Sequence, residues 1–466
     1  MGQSVTLLPE LSVIRTVNER LMSYNVEFTE VTGGTFWKAY SPEEIAGTKK
    51  FSVGGATDIA SAMASLMQVY PPINLYDEKL RKLASEFGPV WVRVSGTWAT
   101  KTYYDFEGTG VIPEGYQNIL TKEQWIGVLD FVKAIGAKLL ISVANCEGLH
   151  KADEPWNPSQ AEKIFALSKE YGVAINAVEF TNEPNILDIT GFPPNYTAAD
   201  YARDQDIFHR WVRDNYPGTL IVGPCSTEGV MGDPDRADDM KGSGGVAELS
   251  MNMAPTPDLM KGTKEPLDVY SYHYYNGMSE RTMMSFPAKA ACSEDYLSIA
   301  ELACKYYIKM SSDITTNGQL WVTESGDAAA GGHTWGSTYL DVIRSANELG
   351  VFTKLTEGII FHNTFVSSDY GWLDPVTHYP RPNYWLNYIW NQLIGTSTYD
   401  ADWENCEGAH VFAYDRKDGK DGYVYMIINN SKKEETIVDF GKEVDVYLLS
   451  ADEERSKDMK LNGKVI

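Results

Sequence analysis

One pattern constrains this sequence more than any other: short β-branched or aromatic runs recur, and between them lie stretches with apolar residues three and four positions apart. The strand candidates are 24–28, 90–95, 137–143, 175–181, 219–224, 267–273, 319–324 and 358–364, which makes eight. Helical spacing marks 122–135, 158–171 and 197–214. Strands that alternate with helices build a parallel sheet, and eight such units close into a (β/α)₈ barrel with the helices outside. After a last helix near 382–394 the texture changes to alternating runs, HVFAYD, YVYMIIN, ETIVDF and DVYLLS, separated by Lys/Asp/Gly turns. The expected organisation is an α/β barrel over 15–395 and a small antiparallel β-sandwich over 396–466, with residues 1–14 available to complete it.

Charge narrows the partners. The 40 Lys and Arg against 64 Asp and Glu give a net charge of −24, which repels polyanions, so nucleic acid is not expected to bind. A highly sulfated polymer would need a basic groove, and no linear cluster supplies one. The five cysteines are odd in number and lack CxxC spacing, so free thiols are expected rather than a disulfide framework or a zinc knuckle. No stretch reaches the ~18 apolar residues of a membrane helix, and no membrane association is expected. The first residues carry no basic stretch followed by an apolar run, which gives the expectation of a cytoplasmic protein, or of a secreted one if a signal peptide precedes this sequence.

Barrel enzymes place their chemistry at the C-terminal ends of the strands, so an acid that closes a strand is a better catalytic candidate than one on a helix face. In Val178-Glu179-Phe180-Thr181-Asn182-Glu183-Pro184, Glu183 lies just beyond the fourth strand, and in Leu320-Trp321-Val322-Thr323-Glu324, Glu324 ends the seventh. Each alone has an ordinary explanation, a helix-start acid or a strand-end surface acid. Strands four and seven, however, face each other across an eight-stranded barrel. A carboxyl pair there suits glycoside hydrolysis, which needs one protonated acid and one ionised nucleophile. Tyr272-His273-Tyr274-Tyr275 ends strand six beside Glu324, where a hydroxyl or imidazole can keep that carboxylate ionised. Asn182 carries an amide suited to a sugar 2-hydroxyl. GxxxxGK[ST], HExxH and GxSxG are all absent, and neither metal nor organic cofactor is expected.

With these residues in place the chain resembles glycoside hydrolase family 79, the β-glucuronidase and heparanase-like family. The resemblance rests on Arg93 to Thr97, Asn145 with Trp156-Asn157, Val178 to Asn185, His273 to Gly277, Glu324 to Gly332, Asp369 to Asp374 and Pro382 to Leu386. It implies a retaining mechanism with Glu183 as acid/base, Glu324 as nucleophile, and Tyr274 hydrogen-bonded to that nucleophile. It further implies that backbone amides of Ala330-Gly331-Gly332, together with Tyr370, hold a uronate carboxylate. Glu27, Thr97, Asn145 and His273 join the substrate-binding set. The expected activity is release of β-linked glucuronic acid from glucuronides. Endo action on a uronic-acid polysaccharide and a non-catalytic carbohydrate-binding barrel are the alternatives.

Overall fold

The computed structural model describes residues 2–7, 10–52, 65–227, 253–282, 285–315 and 319–466. Eight parallel strands close a barrel in sequential order: β1 (Met22–Glu27), β2 (Trp91–Ser95), β3 (Lys138–Ile141), β4 (Ala177–Val178), β5 (Leu220–Ser226), β6 (Val269–Tyr275), β7 (Leu320–Gly326) and β8 (Ile360–His362). All eight strand candidates fall on these elements. The fourth is shorter than its hydrophobic run because the ladder around it thins to single backbone bonds, such as Glu179 N–H to the Ile141 carbonyl at 2.9 Å.

Helices cover the outside: α1 (Lys122–Ile135), α2 (Ser159–Tyr171), α3 (Ala198–Asn215) and α5 (Pro382–Leu393) fall where the sequence predicts them, and α4 (Val342–Leu355) joins them. Local chemistry sets their ends. Thr121 and Gln124 cap the start of α1 reciprocally, satisfying two otherwise orphaned amides, and Gly136 ends it in the left-handed conformation. Thr197 and Asp200 form the same box at α3.

The barrel interior is layered. Its N-terminal end is an apolar plug of Trp91, Leu140, Ala177, Val222, Val269, Trp321 and Phe361, in which Trp91 and Trp321 meet edge to face at 5.1 Å. Two residues further along several strands the inward side chains become polar: Arg93 on β2, Ser142 after β3, Glu179 after β4 and Ser271 on β6, all buried. Charges at that depth must pair or be solvated, so this layer imposes a hydrogen-bonded network beneath the barrel mouth.

Both ends of the chain contribute β structure beside the barrel. Strands Tyr423–Ile428, His410–Arg416, Ile394–Tyr399 and Val13–Thr16 form an antiparallel sheet in that order, so an N-terminal strand lies at its edge. Ser4–Thr6 pairs in parallel with Ile437–Asp439. The sheet is fastened to the barrel through α4. A Cβ on Gly350 would lie 2.4 Å from the Phe412 ring, so glycine permits the close approach, and the Thr353 and Tyr414 hydroxyls meet at 2.9 Å. Among the described residues, no helix is long and apolar enough to cross a membrane.

Candidate active site

Glu324 reaches the barrel mouth through a fault in the strand. Alternation from Trp321, which packs in the interior plug, would turn Glu324 outward. In the ladder, however, Tyr272 pairs with Val322 and His273 with Glu324, leaving Thr323 as an extra residue. Such a bulge reverses the phase of everything after it. Glu324 therefore points inward, and Ser325 points out to donate its hydroxyl to Glu348 of α4. On β6 the alternation is unbroken, so His273 and Tyr275 face the interior while Tyr272 stacks on Tyr307 and Tyr274 meets Phe352 on the helix side.

Two hydrogen-bond donors and an imidazole converge on Glu324. The Tyr275 hydroxyl donates to Oε2 at 2.7 Å, Arg93 Nη1 donates to Oε1 at 2.9 Å, and His273 Nδ1 lies 3.5 Å from Oε2. Burial alone would push this carboxyl up. Here His273, the Arg93 guanidinium and the Tyr275 hydroxyl hold it below the ordinary glutamate value, so it is kept as a carboxylate.

Glu183 is held differently. Its backbone occupies the left-handed region at φ 46°, which few non-glycine residues adopt, and both its N–H and its carbonyl are pinned, the former to the Cys225 carbonyl at 3.2 Å. Its side chain has one polar partner among the described residues, His273 Nδ1 at 3.0 Å. Burial raises the carboxyl above its ordinary value and the negative charge of Glu324 adds to this, with the His273 hydrogen bond offsetting part. His273 Nε2 sits 3.3 Å from Arg93 Nη2, while Nδ1 faces both carboxyls, 3.0 Å from Glu183 and 3.5 Å from Glu324.

Arg93, read in the sequence only as part of a motif, is the hub of the polar layer. It donates to Glu179 from Nε at 3.0 Å and from Nη2 at 2.6 Å, to Asn182 Oδ1 at 2.7 Å and to Glu324. Glu179 is also held by Ser95 Oγ at 2.5 Å and Cys225 Sγ at 2.9 Å, so its buried charge is fully partnered. Basic residue types at alternate strand positions signal such a layer, but nothing local reveals that its partners lie 86 and 231 residues away.

The other expected site residues divide. Glu27, at the end of β1, is buried beside Glu324, and Gly96 at φ 107° makes room for it, since a Cβ there would lie 1.9 Å from Oε2. Burial, then the charge of Glu324, raise the Glu27 carboxyl well above its usual value. Thr97 follows Gly96, half-buried in the turn after β2. Asn182 has its oxygen fixed by Arg93, leaving the NH₂ to offer. Tyr370 stacks against Tyr275 at 6.2 Å. Ala330, Gly331 and Gly332 are consecutive left-handed residues at φ 61°, 89° and 84°, with carbonyls tied to Ser279, Arg281, Ser368 and Tyr40. The Gly332 amide is committed to the Ala328 carbonyl at 3.1 Å, whereas those of Ala330 and Gly331 make no hydrogen bond among the described residues.

Two expectations are corrected. Tyr275, not Tyr274, bonds Glu324, because strand alternation turns Tyr274 outward, where its hydroxyl donates to Asn276. Asn145 is not among the residues gathered around the two carboxyls. Its oxygen faces His150 Nε2 at 2.6 Å and its NH₂ donates to Tyr196 at 3.2 Å, so both ends of the amide are used within the fold.

A carboxyl oxygen of Glu183, one of Glu324 and a ring nitrogen of His273 lie within 4.8 Å of one another, the spacing of a shared metal site as well as of an acid/nucleophile pair. Arg93 already occupies one oxygen of Glu324, and the opposed proton affinities of the two carboxyls fit the second description.

No family model matches the chain. Curated relatives do. Heparanase-like protein 1 of Arabidopsis thaliana is 22% identical over 402 residues, covering 82% of this chain and 69% of that protein. Hyaluronoglucuronidase of Hirudo nipponia is 23% identical over 358 residues, covering 71% and 68%. Baicalin-beta-D-glucuronidase of Scutellaria baicalensis is 21% identical over 437 residues, covering 84% and 77%. Among solved structures, a 4-O-alpha-L-rhamnosyl-beta-D-glucuronidase from Fusarium oxysporum 12S shares the fold at a TM-score of 0.58 and 12% identity, covering 99% of this chain and 93% of that one. The chain is a glycoside hydrolase, and the relatives it resembles are heparanase-like and β-glucuronidase members of family 79.

Proposed function

We propose that the protein is an exo-acting, retaining β-glucuronidase in which Glu324 is the nucleophile and Glu183 the acid/base. The observation that carries this reading is the carboxyl pair itself. Its oxygens approach within 4.8 Å, near the ~5–5.5 Å of retaining enzymes and short of the ~6.5–9.5 Å that inversion needs for an intervening water. The ionised Glu324 attacks the anomeric carbon while protonated Glu183 gives its hydrogen to the departing glycosidic oxygen. Glu183, now a carboxylate, takes a proton from water as that water displaces Glu324, which restores both groups.

A uronate is supported by the Tyr370 hydroxyl, whose ring lies against Tyr275, and by the uncommitted amides of Ala330 and Gly331 in the loop after β7. Uncharged donors of this kind hold a carboxylate without a buried cation. Relatives named as a hyaluronoglucuronidase and a baicalin-beta-D-glucuronidase point the same way.

The test compares turnover of an aryl β-D-glucuronide with that of the matched glucoside, using Glu324→Gln as control, and follows the first-formed anomer by NMR. Glucuronide-selective turnover giving the β-anomer is expected. An α-anomer product overturns the retaining assignment, and equal turnover of the two glycosides overturns the uronate one. Cleavage of a uronic-acid polymer without hydrolysis of the aryl glucuronide overturns exo action.

A further inference from the structure

The Asn363 side chain, which follows β8, ties two functions of the site together. Its orientation is fixed from the backbone outward. The Thr323 carbonyl can only accept, so the group facing it at 3.1 Å is Asn25 Nδ2. That nitrogen also faces Asn363 at 3.3 Å and therefore meets the amide oxygen, Oδ1. The opposite end of Asn363 is then the NH₂, which donates to the Tyr275 hydroxyl at 2.9 Å and to the Tyr370 hydroxyl at 3.2 Å. A hydroxyl that accepts from an amide must aim its own hydrogen elsewhere. Tyr275 aims at Glu324 Oε2 at 2.7 Å. The Tyr370 hydroxyl has no acceptor among the described residues, so its hydrogen is available to a ligand.

We infer that Asn363 is a positioning and specificity-determining residue: it polarises both tyrosines, so that one donates to the nucleophile and the other presents a donor to an anionic group of the substrate. The substrate half of this inference rests on the glucuronidase reading; the nucleophile half does not. Two carboxyl groups flank the device, Glu324 on β7 and Glu27 on β1. Neither carboxyl replaces the amide, because an ionised carboxylate in its place would draw both hydroxyl hydrogens toward itself.

The test is Asn363→Asp, which keeps the shape and replaces the donor with an acceptor. The selectivity for an aryl β-D-glucuronide over the glucoside is expected to fall by about tenfold or more. The acidic limb of the kcat/KM profile moves to higher pH as Glu324 loses the Tyr275 donor. Asn363→Ala, which adds no charge, moves both readouts in the same direction by less. On a Tyr370→Phe background Asn363→Asp no longer changes the selectivity but still moves the acidic limb. Selectivity and acidic limb both within twofold of the parent in the Asp and Ala variants would overturn the inference. So would an equal selectivity loss with and without the Tyr370 hydroxyl. A parent enzyme with no preference for glucuronides refutes the substrate reading instead, and the acidic limb measured on any hydrolysed glycoside still decides the role of Asn363 at Tyr275.

Discussion

Replacing Arg93 with lysine keeps a positive charge at the centre of the barrel and removes the fork that serves several acceptors at once. Arg93 uses Nε and Nη2 on Glu179, Nη2 on Asn182 and Nη1 on Glu324, the last at 2.9 Å. A single ammonium placed against Glu179 cannot also span to Glu324, so the proposed nucleophile loses one of its two hydrogen-bond donors while remaining buried. Leaving such an acceptor short of a partner costs roughly 1–3 kcal/mol, or about 5- to 150-fold if it is felt fully in the chemical step. The pH dependence gives a second, independent readout. Arg93 is one of the influences holding the Glu324 carboxyl low, and Glu324 must be ionised to attack, so its loss moves the acidic limb of kcat/KM to higher pH. The assay is the pH profile of Arg93→Lys and parent on an aryl β-D-glucuronide from about pH 4 to 9. A variant with kcat within about twofold and an unmoved acidic limb would refute the argument, since a factor of two is below 0.5 kcal/mol. His273 and Tyr275 would then suffice to hold the nucleophile.

Three further outcomes follow from the geometry. Glu183→Ala is expected to lose about 10²–10⁴-fold in turnover and to regain activity with azide, giving a β-glucuronyl azide; no rescue, or an α-product, would remove Glu183 from the acid/base role. Tyr275→Phe should slow hydrolysis and move the acidic limb upward, whereas Tyr274→Phe should leave the pH profile in place and cost about 1 kcal/mol of stability, seen as a lower Tm; the reverse pattern would restore Tyr274 as the nucleophile's partner. Burial and the neighbouring Asp341 push the Asp327 carboxyl up to about 7, above its unfolded value, so the folded state binds the extra proton and stability falls as pH rises toward 7. The stability of Asp327→Asn relative to the parent, followed by Tm, should therefore climb from about pH 4 to 7, by at most ~1.4 kcal/mol per pH unit, and a constant gap would refute it.

What the sequence makes legible, and what it conceals, follows from the range of the physics involved. Strand and helix periods are local, so the barrel strands and the helices α1, α2 and α3 fall on the segments that spacing predicts. The β6 alternation is local too. Counting by twos from Ser271 places His273 and Tyr275 inside and Tyr274 outside, so the alternation contained the correction to the residue named by resemblance. The bulge at Thr323 is a different case. One additional threonine in a strand of Leu-Trp-Val-Thr-Glu has no compositional signature, yet without it Glu324 would face α4 and the barrel would lack its proposed nucleophile. The sequence could supply Glu324 as a candidate only through its position at a strand end, which is why the rule of chemistry at the C-terminal ends succeeded where strict alternation would have excluded the residue. Arg93 was hidden for the opposite reason. Its identity is conspicuous, but its role is defined by Glu179, Asn182 and Glu324, which meet it only when the barrel closes. A charge with no nearby counter-charge in sequence, placed where a strand must be buried on both faces, is itself a prediction that the fold brings it partners. In a barrel whose floor is already filled by tryptophan and aliphatic side chains, those partners can lie only at or just below the catalytic mouth.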